Sequence, residues 1–154
     1  MHIRSIENLS DDVNTLIQLS RRYMAELYPP DSIHQEDPQR LLAADTYFIG
    51  AYLERKLLGI GAVKKVDASP AYGEIKNLFV DPRQRGQGAS RLIMSALEQS
   101  LIDGNIMLCR LETGSGQAES IGLYQGLGYQ QCPPYGDYKP DPLSVFMEKE
   151  LQGG

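Results

Sequence analysis

Leu78-Phe79-Val80-Asp81-Pro82-Arg83-Gln84-Arg85-Gly86-Gln87-Gly88-Ala89-Ser90-Arg91, followed by Leu92-Ile93-Met94-Ser95-Ala96-Leu97-Glu98, is the stretch on which the reading of the fold turns. An apolar run stops at Asp-Pro, a basic loop with two glycines follows, and apolar residues then recur at helical spacing. That is strand, loop, helix. The first turn of a helix has backbone N–H groups without intrahelical partners, and its dipole is positive there, so the loop is a site for an anion, typically a phosphate. Gly86 and Gly88 allow the backbone to approach a ligand closely. Arg83, Arg85 and Arg91 add positive charge.

Working outward, Tyr72 to Val80 reads as the strand before the loop and Gly88 to Asp103 as the helix after it, with Gly104 as its C′ residue. Upstream, Thr46 to Leu53 and Leu57 to Val66 read as two strands joined by the polar hairpin Glu54-Arg55-Lys56. Ile3 to Ile6 is a first strand. Ser10 caps a helix whose apolar stripe runs from Val13 to Leu27 and which Pro29-Pro30 stops. Pro38 opens a short second helix through Leu42 and Ala43. Downstream, Ile106 to Glu112 is an apolar strand that a right-handed crossover sets parallel to the strand before the loop. Thr113-Gly114-Ser115-Gly116 is a flexible turn and Ala118 to Gly126 a helix ended by Gly128. Tyr129 to Cys132 and Ser144 to Leu151 are the last strands, separated by a long proline-rich connection. The order β-α-α-β-β-β-α-β-α-β-β predicts one α+β domain (three-layer α/β) over residues 1–154. Its sheet is mixed, mostly antiparallel, of about seven strands, and flanked by helices.

Composition narrows the function. The chain has 154 residues, 42% apolar and 23% charged, with a net charge of −5. Nucleic acid calls for a basic surface, and the only dense basic patch is the loop, so the expected partner is a small anion and not a polymer. No apolar run approaches the roughly 18 residues of a membrane span. Met1-His2-Ile3-Arg4 has no apolar secretion-signal core, so the expected location is the cytoplasm. Cys109 and Cys132 lack metal-ligand spacing and read as reduced, partly buried thiols. With only His2 and His34 there is no histidine-rich metal site, and no metal is expected. A homodimer is left open.

Two nucleotide-binding patterns fail on the loop. There is no Gly-x-x-x-x-Gly-Lys-Ser/Thr run, and Gly86-x-Gly88 is not completed to Gly-x-Gly-x-x-Gly because Arg91 stands at the third position. Arg85-Gly86-Gln87-Gly88-Ala89-Ser90 instead resembles the coenzyme A loop Gln/Arg-x-x-Gly-x-Gly/Ala of the GNAT-type N-acetyltransferase superfamily, with Ser90 as a small departure. Ser120 to Tyr129 resembles the family block Ala-x-x-Leu-Tyr-x-x-x-Gly-Phe. Pro29 to His34, Leu111 to Gly114 and Asp141 to Lys149 look like a small bacterial YsnE-like subgroup. The resemblance spans Ile3 to Leu151 and implies the GNAT-like acyl-CoA N-acyltransferase fold.

That resemblance implies acetyl-CoA as cosubstrate and a small-molecule or amino-acid-like primary amine as acceptor. It implies that backbone groups of Leu78, Phe79 and Val80 pair with the pantetheine and stabilise the oxyanion, while N–H groups from Arg85 through Gly86, Gln87, Gly88, Ala89, Ser90 and Arg91 hold the pyrophosphate. Gln117 takes a cofactor-contacting position. Tyr124 matches the tyrosine that protonates the departing thiolate, and Glu74 matches a general-base position in some members. Competing structural readings stand beside these. Tyr124 packs a helix on the sheet, Glu74 pairs with Lys76, and Glu112 either caps a strand or replaces Glu74 as base. His34, Tyr138 and Ser144 are candidates for acceptor contacts or for loop packing. Two other functions stay open at this point: a non-catalytic acyl-CoA-binding or regulatory module, and a protein N-terminal or lysine acetyltransferase.

Overall fold

The structure, a computed structural model, describes residues 1–152. The strands are β1 (His2–Ser5), β2 (Thr46–Leu53), β3 (Lys56–Val66), β4 (Tyr72–Val80), β5 (Leu108–Gly114), β6 (Gln130–Gln131) and β7 (Ser144–Glu150). The α-helices are α1 (Asp11–Leu27), α2 (Ala89–Asp103) and α3 (Ala118–Gly126), with single 3₁₀ turns at Pro30–Ser32, Pro38–Leu42 and Pro82–Gln84. One sheet runs β1-β2-β3-β4-β5-β7-β6, and every neighbouring pair is antiparallel except β4 and β5. The mixed seven-strand α+β architecture expected from the sequence is therefore present.

Side chains alternate between the two faces of each strand, so the sheet carries two apolar layers. On one face, Ile93, Met94, Leu97 and Leu101 of α2 and Tyr124 of α3 pack on Ile49, Val63, Ile75, Cys109, Leu111 and Met147. On the other, Val13, Leu16 and Ile17 of α1 pack on Phe48, Ile60, Ala62 and Phe79. A small cluster of Tyr72, Tyr135 and Phe146 lies under the long connection after β6. Helix, sheet and helix make three layers.

Two features of β4 position the site. Pairing with β3 moves from Ile60↔Phe79 to Ala62↔Lys76, two residues on β3 against three on β4. The extra residue makes a β-bulge at Asn77-Leu78, where Asn77 takes φ +53°, a left-handed conformation that asparagine tolerates. On the opposite edge, β4 pairs with β5 only through Gly73↔Cys109 and Glu74↔Arg110. Beyond Glu74 the two parallel strands part, which opens the sheet from one face to the other.

Local boundaries differ from the sequence reading where tertiary pairing decides them. Gly104 has φ −92°, and the left-handed residue that closes α2 is Asn105, φ +60°. Ile106 N–H then returns to Leu101 C=O at 2.8 Å, so Ile106 belongs to the helix exit and β5 starts two residues later than its apolar run suggests. Its end is carried into the expected Thr113–Gly116 turn because Thr113 and Gly114 pair with Val145 and Ser144 of β7. Ser10 is the N-cap residue of α1, but its hydroxyl donates to Asp12, and Asp12 Oδ1 accepts the Val13 N–H at 2.9 Å instead. The strand expected over Tyr129 to Cys132 keeps only Gln130–Gln131.

Candidate active site

The loop after β4 is built around Asp81. Its carboxylate is buried and accepts from Arg83 N–H at 3.0 Å, Nε at 3.2 Å and a terminal guanidinium nitrogen at 2.9 Å. These bonds from Arg83 hold the Asp81 carboxyl below the usual carboxylate range, against the opposing effect of burial. Arg83 is thereby committed to the turn and does not reach the cavity described below. Gly86 and Gly88 follow with φ +81° and +84°. A Cβ at either would meet open space, so glycine is needed there for its backbone conformation. The first intrahelical bond of α2 is Leu92 N–H to Gly88 C=O, at 3.1 Å. The N–H groups of Ala89, Ser90 and Arg91 therefore have no acceptor within the helix.

These donors face one end of a cavity of about 580 Å³ that follows the gap between β4 and β5. Arg85, Gly86, Gly88, Ala89, Ser90 and Arg91 line it, as do Leu78, Phe79 and Val80 on the strand side and Gln117 across the gap. Gln87 does not line it; its amide donates to Gln84. Gln117 Oε1 accepts from Gly114 N–H at 3.0 Å and from Tyr28 Oη at 3.2 Å, and Tyr28 Oη accepts in turn from Gly116 N–H at 3.2 Å. Tyr28, at the exit of α1, thus clamps the turn that forms one wall. Nothing in the residue order singled it out.

Tyr124 reaches the cavity from the α2–α3 face. It is almost fully buried, stacks edge-on to Tyr129 with centroids 5.9 Å apart, and its hydroxyl has no protein hydrogen-bond partner among the described residues. Burial, reinforced by Cys109 and Glu112 nearby, pushes its phenol well above the ordinary value, so it holds its proton. Glu112 enters from the opposite face of the sheet. Burial pushes its carboxyl up, Glu74 adds to this, and the Ser144 hydroxyl together with His34 and Lys76 opposes it. Cys109, buried beneath Tyr129 Oη at 3.1 Å, is pushed up to about 12 and is no nucleophile.

The far end of the cavity is lined by His34, Lys76, Asn77, Glu112 and Tyr138, with Tyr23, Met24 and Phe79 as its apolar side. Glu74 and Ser144 lie outside the lining. The Glu74 carboxylate accepts from Tyr138 Oη at 2.6 Å and Tyr135 Oη at 3.1 Å, and stands 3.6 Å from Lys76 Nζ. Lys76 Nζ donates to His34 C=O at 3.1 Å and to Tyr138 Oη at 2.9 Å. Tyr138 meets the His34 ring edge-on at 5.1 Å. Of the two carboxyls weighed from the sequence, Glu112 faces the cavity, and Glu74 anchors the loop carrying Tyr135 and Tyr138. Lys76, which the sequence offered only as a surface partner of Glu74, is a wall residue. Alternation along β4 and β5 accounts for this, since residues 74, 76, 110 and 112 all share the face covered by that loop.

The chain has counterparts of the same build. Residues 13–129 match the profile described as the Acetyltransferase (GNAT) family. The chain is 39% identical over 143 residues to an IAA acetyltransferase of Azospirillum brasilense, covering 93% of each. It is 30% identical to the N-acetyltransferase YsnE of Bacillus subtilis over 98% of this chain and 100% of that one. Its fold matches a crystal structure assigned to an acyl-CoA N-acyltransferase from Klebsiella pneumoniae, with TM-score 0.79, 30% identity, and coverage of 98% and 97%. It also matches the PaiA N-acetyltransferase of Thermoplasma acidophilum in complex with coenzyme A, at TM-score 0.72 and 20% identity. A basic, glycine-turned loop at a helix start, parallel strands that part beside a bulge, and a matching profile over most of its length make this chain an acyl-CoA-dependent acetyltransferase of the GNAT family, on its YsnE-like branch.

Proposed function

We propose that the enzyme, read as one domain over 1–154, transfers the acetyl group of acetyl-CoA to a primary amine of a small, amino-acid-like molecule by direct attack. The observation that carries this reading is the opening between β4 and β5, with a proton-holding phenol on one face of the sheet and a carboxyl of raised pKa on the other. The N–H groups of Arg85, Gly86, Gly88, Ala89, Ser90 and Arg91 hold the pyrophosphate, and Gln117 shapes the wall beside it. Leu78 to Val80 pair with the pantetheine arm, and a backbone N–H at the bulge donates to the thioester oxygen as negative charge develops on it. Glu112 takes a proton from the incoming ammonium, directly or through water. The freed amine forms the new C–N bond as the C–S bond breaks, Tyr124 Oη gives its proton to the departing sulfur, and the surplus proton on the new amide nitrogen passes through solvent to restore the Tyr124 phenol. An acceptor of small size is supported by the Azospirillum relative, named for IAA and not for a protein. The unpaired thiols of Cys109 and Cys132 suit a reducing cytoplasm.

Isothermal titration with acetyl-CoA is expected to give a dissociation constant in the micromolar range; no heat at such concentrations overturns the reading. The role of Glu112 has a pH signature. A base must lose its proton to act, so kcat/KM falls on the acid side, with a midpoint above the ordinary glutamate value of about 4.3. Glu112→Gln is expected to lower kcat/KM by about 10² and to abolish that limb. A limb that survives unchanged in the variant removes Glu112 from the mechanism. The same shift acts on stability. The folded protein holds this proton more tightly than the unfolded chain, so the wild type loses stability as pH rises from about 4.3 through the raised value, and Glu112→Gln loses less over that window.

A further inference from the structure

The acceptor end of the cavity offers more donors than a bare amine requires. Lys76 has three N–H groups, of which one goes to His34 C=O and one to Tyr138 Oη. Glu74 lies at 3.6 Å, close enough to pair in charge but beyond hydrogen-bond length, so among the described residues one N–H of Lys76 has no acceptor and is available to a ligand. Its side chain is only 12% exposed, and that exposure opens on the cavity. The neighbouring Asn77 is held at the bulge by Glu36 N–H, which donates to its side-chain oxygen at 3.0 Å; Asn77 lines the same cavity, and its NH₂ has no acceptor among the described residues. The His34 ring stands beside them.

A simple alkylamine arrives as a cation. It would meet Lys76 as a like charge, and it would leave the spare N–H and the Asn77 amide without partners once water is excluded. A molecule with a carboxylate next to its amine satisfies both. The carboxylate takes charge-assisted bonds from Lys76 and Asn77, and the adjacent nitrogen falls toward Glu112, which lines the same end of the cavity. The remaining wall, Tyr23, Met24 and Phe79, suits an apolar substituent.

Resting on the acetyl-transfer reading above, we propose that the acceptor is an α-amino acid with an apolar side chain, whose carboxylate is bound by Lys76 and Asn77 while its amine faces Glu112. Glu74 is then a positioning residue: it fixes Lys76 and Tyr138 from behind and never meets the acceptor.

The test compares acceptors matched in everything but the carboxylate. The apolar L-amino acids, phenylalanine and leucine among them, are each set against the decarboxylated amine with the same side chain, and thiol release from acetyl-CoA is followed with wild-type enzyme. A charge-assisted bond predicts kcat/KM about 10- to 100-fold higher for the amino acid of a pair. Lys76→Met is expected to collapse that ratio toward one. Because Lys76→Met leaves Glu74 without its cation and threatens the fold, the wild-type pairs decide the matter alone. Equal or faster turnover of the amines overturns the carboxylate site and leaves acetyl transfer to an amine standing. Release with neither set overturns both, while titration with acetyl-CoA still reports separately on the cofactor end.

Discussion

Tyr124→Phe is expected to lower kcat by at least about 10²-fold while KM for acetyl-CoA moves by less than a few-fold. The asymmetry follows from what the hydroxyl touches. It has no protein partner among the described residues, so its loss orphans no donor or acceptor there. The ring stays, and with it the edge-on contact to Tyr129 and the packing of α3 on the sheet. Only the proton is removed. A thiolate must otherwise leave unprotonated or wait for water, and the penalty falls on the bond-breaking step and not on binding. Burial makes this phenol a poor acid in isolation. Its reference value near 10 lies close to that of a thiol near 8.5, however, and on the proposed mechanism the charge forming on sulfur draws the proton across. The measurement is steady-state thiol release with the best acceptor, alongside a thermal melt to show the fold is kept. A variant with wild-type kcat would leave Tyr124 as packing, the reading the sequence held open beside catalysis.

The sequence made the cofactor end legible because that end is local. Asp81-Pro82 ends a strand, two glycines permit left-handed turns, and the spacing of Leu92, Ile93, Met94 and Leu97 can only be a helix. β2, β4 and α3 came out with the boundaries read from residue pattern. The catalytic end is non-local and was harder to see. The bulge at Asn77-Leu78 exists only because β3 pairs with both sides of it, and the parting of β4 from β5 is a property of two strands whose paired residues, Gly73 with Cys109 and Glu74 with Arg110, are 36 apart in number. Choosing between Glu74 and Glu112 required knowing that the 132–142 connection folds over Glu74 and fills its acceptor positions with Tyr135 and Tyr138. Lys76 suffers the same blindness. In the sequence it is one charge beside another on a strand; in the fold it becomes a wall of the cavity because His34, 42 positions earlier, supplies a carbonyl for it.

Gly114→Ala tests the other non-local element, the seat of Tyr28. A Cβ on Gly114 would lie 2.7 Å from Tyr28 Cε2 and closer still to its Cζ and hydroxyl. The backbone of β5 cannot retreat, since Gly114 pairs with Ser144 and Ser115 N–H bonds Leu143 C=O at 2.9 Å. Tyr28 must leave, and with it go its bonds to Gly116 and Gln117. Overpacking of about 1–3 kcal/mol and about 1 kcal/mol for each of two hydrogen bonds give a loss of roughly 3–5 kcal/mol, or about 10 °C in Tm for a chain of this size. Because Gly116 and Gln117 line the cavity, KM for acetyl-CoA is expected to rise about tenfold, the equivalent of about 1.4 kcal/mol of binding. The double variant Tyr28→Ala/Gly114→Ala separates cause from coincidence. If the clash is the mechanism, removing the ring relieves it, and the double variant is no less stable than Tyr28→Ala alone. Strictly additive losses would mean that alanine at 114 harms β5 itself, and that the wall beside the cofactor loop owes its shape to the strand and not to the tyrosine wedged against it.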